Sequence, residues 1–485
     1  MPASAIPHNL TDQLHPTPPR ELGSDQSQSH SSGSNPSDSQ SLQRALAGDD
    51  NALVPIHYPA LKEAFLTSLE EQQDVIEATA RHCLGVRNCH LGAREVWQSG
   101  SFNVVLPIHI AAGWSVFMRI PFPYRLGEDR CPGNVEEKLR TEIATYIWLR
   151  QNCPDIPIPE LHAFGLPDGS HIPSAHPSGN EPAWSWLDRF QDKTYRDRLF
   201  RSLARISLSL NSVPLARIGS LKLQPDASIA LSNRPLSLYF LLENEGIPTG
   251  IPRHRTYAQV ESYLSDLLSF QDNKIRHQPN AVHDQEDGER QVAALTALRA
   301  TMHHFIRPEH RDGPFFLHLT DLHQQNIFVD QDWNIETIID LEWAHTAPLE
   351  MQLPPYWLSS RVSVDSFVDQ AAITDYEAVL EEYWAIYEAE ERKRNDTVVQ
   401  VPLQRDMWAR GSFWYFHAVG IPKGMYTLFN RHIQPLFNKE HPDKQIFDTV
   451  FYWYWGFGAQ RLIDKKLGDK KEYMASVREA FAEDS

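Results

Sequence analysis

Between residues 58 and about 84, Leu61, Phe65, Leu69, Val75 and Ile76 recur near helical spacing among Glu and Gln, so an amphipathic helix is expected to open the folded part. The period then changes. Residues 95–123 (EVWQSGSFNVVLPIHIAAGWSVFMRIPFP) hold three β-rich runs, 95–98, 104–111 and 114–120, and the turns Ser99-Gly100-Ser101 and Ala112-Gly113 between them predict consecutive antiparallel hairpins. Helical spacing returns at 134–151, with acids in the first turns, a stripe of Leu139, Ile143, Tyr146 and Ile147, and Pro154 just beyond the end. Residues 165–185 are Pro, Gly, Ser and His without an apolar run, which predicts a loop and no strand. Further helices are expected at 193–210, 257–270 and 285–305, and aromatic-rich ones around 376–393, 407–418, 425–436 and 445–466.

Composition divides the chain. Residues 1–52 include SDQSQSHSSGSNPSDSQS, too poor in aliphatic side chains to offset its ordering entropy, and are expected to form a disordered tail. The remainder, with 13 Trp, 16 Tyr and 22 Phe, is rich enough in large side chains to build extensive cores. A net charge of -18 argues against nucleic acid as a partner, because phosphate neutralisation needs an excess of Lys and Arg. The four cysteines show no CxxC pair and no disulfide framework. No run approaches a membrane span and residues 1–30 carry no targeting pattern, so the expectation is a soluble, cytoplasmic protein without a membrane partner.

The chemistry is concentrated in FFLHLTDLHQQNIFVDQDWNIETIIDLEWA, residues 315–344. Apolar β-runs at 315–317 and 327–329 flank a polar loop, and a third at 335–339 delivers Asp340 at its end. Phosphoryl transfer needs a carboxylate near the attacking hydroxyl and oxygen ligands that hold Mg²⁺ against the nucleotide phosphates. Asp321 and Asn326, spaced D-x-x-x-x-N, can present a base and an amide oxygen to one cavity, and Asp340 adds a charged ligand from the neighbouring hairpin. The bland alternative is an Asp/Asn-rich β-turn. Glu342 is expected to support the site, and His323 is as consistent with a satisfied loop histidine as with a substrate contact.

LTDLHQQNIFVD followed by IIDLEWA resembles the catalytic and metal loops of aminoglycoside phosphotransferases, within the protein-kinase-like superfamily, and especially their fungal group. Upstream segments such as VFMRIPFPYRLGE and GNVEEKLRTEIATYIWLRQ, and PLEMQLPPYWLSSR downstream, share that likeness. The resemblance implies an α+β, protein-kinase-like bilobed fold: an antiparallel-sheet N-lobe over 53–165, a linker at 166–184 in place of the hinge region, and a larger, mainly helical C-lobe over 185–485. It implies that Asp321 is the catalytic aspartate, that Asn326 and Asp340 bind Mg²⁺, and that ATP or GTP is the phosphate donor to a hydroxyl of a small molecule. Ser101 in the Ser99–Asn103 turn, Arg119 on the third strand and Glu142 on the following helix are the implied nucleotide-side residues.

Three departures stand against that pattern. Leu319 occupies the position where the family has His, Arg119 stands where it has Lys, and the strand that forms the adenine-binding hinge is expected to be missing. A missing strand would leave one sheet edge open. A second reading therefore remains, a catalytically impaired kinase-like module that binds or interacts without turnover.

Overall fold

The β-branched run after Phe102 becomes the centre of a four-stranded antiparallel sheet in the computed structural model, which describes residues 38–110, 114–166, 171–173, 190, 192–237, 241–359, 363–421, 423–439 and 444–483. Three helices precede the sheet: α1 (Asp38–Ala47), α2 (Tyr58–Glu71) and α3 (Gln73–Leu84). The strands are β1 (Cys89–Leu91), β2 (Gln98–Ser99), β3 (Asn103–Ile110) and β4 (Trp114–Pro121), with β4 along one edge of β3 and both β1 and β2 on the other. Alternation sends Val104, Leu106 and Ile108 to the face where Leu69, Ile76 and Phe122 pack. Arg119, paired across the strands with Val105, belongs to the opposite side chain phase.

Several local expectations change here. The single helix at 58–84 is two helices meeting at Gln72, and Val75 is exposed. The run at 95–98 is mostly a 3₁₀ turn over Arg94–Val96. Within the stretch expected to be a disordered tail, α1 packs against the last helix and Gly48, Asp49 and Asp50 accept side-chain hydrogen bonds from Gln278 and Asn280. Residues 1–37 and the Ala112-Gly113 turn lie outside the described residues.

After the sheet comes α4 (Asn134–Asn152), which buries Glu137, Lys138, Arg140 and Glu142 along with its apolar stripe. The expectation of no strand at 165–185 is overturned by a short antiparallel hairpin, β5 (Ala163–Gly165) with β6 (His171–Pro173). Cross-strand hydrogen bonds need only backbone, so two short runs without an extended apolar pattern still pair when they are adjacent in the chain. The hairpin forms its own two-stranded sheet, and among the described residues β4 pairs with β3 alone. Most of the remaining 166–184 stretch falls outside the described residues.

The larger lobe begins with α5 (Lys193–Leu210), the hairpin of β7 (Ser220–Leu223) and β8 (Ile229–Asn233), a turn of helix α6 (Leu241–Asn244), then α7 (Val260–His277) and α8 (Gln285–Phe305). Four strands follow: β9 (Phe315–Leu319), β10 (Ile327–Val329), β11 (Ile335–Ile338) and β12 (Ala344–Pro348). The chain closes with α9 (Gln370–Arg394), α10 (Gln400–Arg410), α11 (Ser412–Gly420), α12 (Met425–Leu428), α13 (Gln434–Phe437), α14 (Lys444–Phe451) and α15 (Ala459–Glu483). The helix expected at 407–418 is split because Gly411, at φ 78°, adopts the left-handed conformation that caps α10. One continuous core joins α4, α5, α7, α8, β9 to β11 and the C-terminal helices. No described helix is long and apolar enough to cross a membrane.

A buried ion network fastens α4 to the larger lobe. Arg234 reaches Glu137 at 2.9 Å and Glu243 at 2.8 Å, and it donates to Thr249 and to the Ile251 carbonyl. All three charged side chains are almost fully shielded. Removing one member strands the others in a medium that solvates charge poorly, so Arg234→Met is expected to cost about 3–5 kcal/mol in urea denaturation. A loss below about 1 kcal/mol would show that water reaches the network.

Candidate active site

Two strand pairs bring the polar loops together. β10 and β11 form a tight hairpin, and β9 pairs antiparallel with β12, His318 facing His345 in the register. The loop after β9 and the loop after β11 are therefore clamped at both ends: Thr320 N donates to Trp343 O at 3.1 Å, and Ile339 N donates to Asn326 O at 2.9 Å. Trp357 Nε1, from a 3₁₀ turn, donates to Leu322 O at 2.8 Å and braces the first loop from outside.

Within the first loop, Asn326 Nδ2 donates to the Asp321 carbonyl at 2.9 Å and lies 3.5 Å from the Asp321 carboxylate. His323 Nε2 is 3.5 Å from Asp321 Oδ1, so this histidine is a neighbour of the carboxylate; burial holds its pKa below the usual range. His318 is buried on β9, and desolvation followed by the proximity of His345 pushes it down to about 3, leaving it neutral. Asp340 has φ 59°, a left-handed conformation that short polar side chains tolerate better than most.

Arg119 gathers the rest. Its Nη1 meets Glu142 Oε1 at 2.5 Å, and its Nη2 is shared by Asp340 Oδ1 at 2.5 Å and Glu342 Oε2 at 2.7 Å. One strand residue, one helix residue and two loop residues are thereby joined by a single guanidinium, whose planar fork suits several carboxylates at once. Glu342 sits deeper than its neighbours and also receives Lys138 Nζ at 2.6 Å. Burial favours the neutral acid, but Arg119 and Lys138 outweigh it and hold the Glu342 carboxyl below its ordinary range.

The structure thus joins Asp321 with Asn326, and Arg119 with Glu142 and Asp340. It does not bring Ser101 into this set: Ser101 lies exposed in the bend between β2 and β3, closed by Gly100 N donating to Asn103 O at 2.9 Å. The neighbouring Phe102 instead packs edge-on against Trp343, ring centroids 5.8 Å apart. Lys138 and Asn103 were not singled out in the sequence. The available signal was a Lys four residues before Glu142 on the same helix.

Electrostatics follow from the count of charges. Four carboxylates, Asp321, Asp340, Glu142 and Glu342, face two cations, Arg119 and Lys138, so full ionisation leaves two negative charges in excess. Burial, then Glu342 and Asp340, push Asp321 up to about 8. Asp340 is also raised, by burial first and against the pull of Arg119. Burial, then the charges of Asp321 and Asp365, push Tyr356 up to about 12. An excess of two negative charges with an adjacent amide is a donor set that fits one hard divalent cation. Among the described residues no three His, Cys, Asp or Glu side chains are grouped to hold a metal unaided, and Asn326 Oδ1 accepts no hydrogen bond. A cation held by Asp340 and Asn326 would take its other ligands from phosphate and water, the usual arrangement for Mg²⁺.

Sheet, helix and paired loops define a protein-kinase-like phosphotransfer fold. A family model described as the phosphotransferase enzyme family matches residues 124–388, more than half of the chain, and the chain belongs to that family. The match includes Glu142, Asp321, Asn326 and Asp340 and begins just after Arg119. None of the curated proteins matches it. Similar solved structures include a macrolide 2'-phosphotransferase type I, with 12% identity over 78% of this chain and 95% of that one at TM-score 0.37. A thermostable mutant of aminoglycoside phosphotransferase APH(4)-Ia, in ternary complex with AMP-PNP and hygromycin B, is 10% identical over 84% and 97% at TM-score 0.37. The ADP-bound aminoglycoside phosphotransferase APH(2'')-Ib is 10% identical over 83% and 97% at TM-score 0.38. The family assignment rests on the family model.

A carboxyl whose folded pKa is raised favours the folded state most below its unfolded pKa, about 4, and loses that contribution as pH rises through the folded value. For Asp321 this window ends near pH 8. Without ligand, Asp321→Asn is therefore expected to melt higher than the parent at pH 8 and to lose that advantage near pH 4. Parallel melting curves for the two chains across this range would show that Asp321 titrates normally.

Proposed function

We propose that this protein transfers the γ-phosphoryl group of ATP or GTP to a hydroxyl of a small molecule, with Mg²⁺ as cofactor. The observation that carries the reading is the two-charge deficit around Asp321, Asn326 and Asp340, in loops clamped by two strand pairs. In the transfer, the acceptor oxygen forms a bond to the γ-phosphorus, the bond to the β-bridging oxygen breaks, and Asp321, in its ionised form, receives the acceptor proton. Asn326 and Asp340 hold the divalent cation, whose charge would offset that of the phosphates and of the surrounding carboxylates. Arg119, kept in orientation by Glu142, faces the nucleotide phosphates. Tyr356, which feels the charges of both Asp321 and Asp365, is the candidate wall of the acceptor side.

A second reading is favoured by one contact. Arg119 binds Asp340 at 2.5 Å, so the carboxylate proposed for the metal already has a cationic partner within the chain. On that reading the module binds ligand without turnover.

The two are separated by adding magnesium nucleotide to the purified chain. Phosphotransfer requires a rise in melting temperature that Asp340→Ala abolishes, together with nucleotide consumption that depends on an added alcohol or amino-alcohol. Asp321→Asn is expected to keep nucleotide binding and to lower kcat by about 10²- to 10⁴-fold. Nucleotide binding without consumption across a broad acceptor set, or no nucleotide binding at all, would favour the binding or interaction module and remove phosphotransfer.

A further inference from the structure

Two cations, one on the sheet and one on α4, meet the same carboxylate oxygen. Arg119 Nη2 lies 2.7 Å from Glu342 Oε2, and Lys138 Nζ lies 2.6 Å from it. The two approach from different elements. Lys138 precedes Glu142 by one helical turn, its side chain is 0% exposed, and Asn103 Oδ1 accepts a further hydrogen bond from it at 3.2 Å. Glu142 Oε2 stands 3.9 Å away. A wholly buried side-chain nitrogen needs such partners in place of water, and here the nearest of them is a loop residue two positions after Asp340.

The loads on the two cations differ. Arg119 is divided among Glu142, Asp340 and Glu342, while Lys138 has Glu342 at hydrogen-bonding range and no bond to Asp340. If Arg119 turns toward nucleotide phosphates, Glu342 loses one cation in a site where it is 2% exposed, and Lys138 is the group that stays. Without Lys138, Arg119 would be the one cation left on Glu342 beside the neutral Asn103 amide, and phosphate would have to compete with a buried carboxylate for the guanidinium.

We infer that Lys138 is a positioning residue: it anchors Glu342, and with it the loop that carries Asp340, to α4, so that Arg119 is free to engage nucleotide phosphates. The inference rests on the phosphotransfer reading. Lys138 itself touches no substrate on this account and acts only through Glu342.

The test is a set of substitutions read by magnesium-ATP KM, kcat and melting temperature. Lys138→Met is expected to raise the nucleotide KM about tenfold with a smaller change in kcat, and Lys138→Arg, which keeps the charge, to restore most of the loss. In a Glu342→Gln background, Lys138→Met is expected to change KM by less than about twofold, because its partner is gone. This comparison decides the matter even if Lys138→Met alone does not fold. A further large rise in KM in the Glu342→Gln background means that Lys138 acts directly, and an unchanged KM for folded Lys138→Met means that it does not act at all. Either result overturns the inference while leaving phosphotransfer standing. A parent chain that neither binds nor turns over magnesium nucleotide overturns both.

Discussion

The interaction on which the rest depends is the sharing of one guanidinium, Arg119, among Glu142, Asp340 and Glu342. Its partners come from two other parts of the fold, α4 and the loop after β11, and none of the contacts is local in sequence. Burying so many charges is costly unless every one is paired, so β4, α4 and the loop after β11 must arrive together or not at all. Lys138 adds the second cation from inside α4, and the Arg234 network, through the adjacent Glu137, fixes that helix to the larger lobe. The helix joins the two lobes through charge as much as through its apolar face.

The same clustering gives the site its reactivity. Burial first, and the neighbouring carboxylates after it, raise the carboxyl pKa values of Asp321 and Asp340. Without ligand the site is held together by protein cations. On the proposed function, metal nucleotide would bring positive and negative charge at once and would draw Arg119 away from its carboxylate partners. The contact between Arg119 and Asp340 is thus compatible with catalysis and equally with ligand binding alone, and turnover is what divides the two.

The motif-bearing strands were legible because their pattern is local: short apolar runs bracketing D-x-x-x-x-N and a following Asp describe paired strands and the loops at their ends. Helices with an apolar stripe, such as α4, α5 and α8, were likewise readable to within a few residues. What escaped was information carried by partners far along the chain. Lys138 looks like an ordinary helix surface residue until Glu342 is set beside it, and β6 has no hydrophobic signature because its pairing is through backbone. Ser101 was drawn by the glycine turn beside it, yet the bend presents Phe102 to Trp343 and leaves Ser101 outside the charge cluster. Breaks at Gln72 and Gly411 divided helices that periodicity alone would have run together.

The central claim is that the excess negative charge between the two loops is matched by a single divalent ion when nucleotide is present. Electron paramagnetic resonance with Mn²⁺ as a stand-in for Mg²⁺ addresses it directly. The account predicts one tightly held ion per chain in the presence of ATP, magnetically coupled to phosphorus and released when Asn326 and Asp340 are both replaced by Ala. Spectra of free Mn²⁺–ATP alone, or a bound signal indifferent to those two replacements, would contradict it.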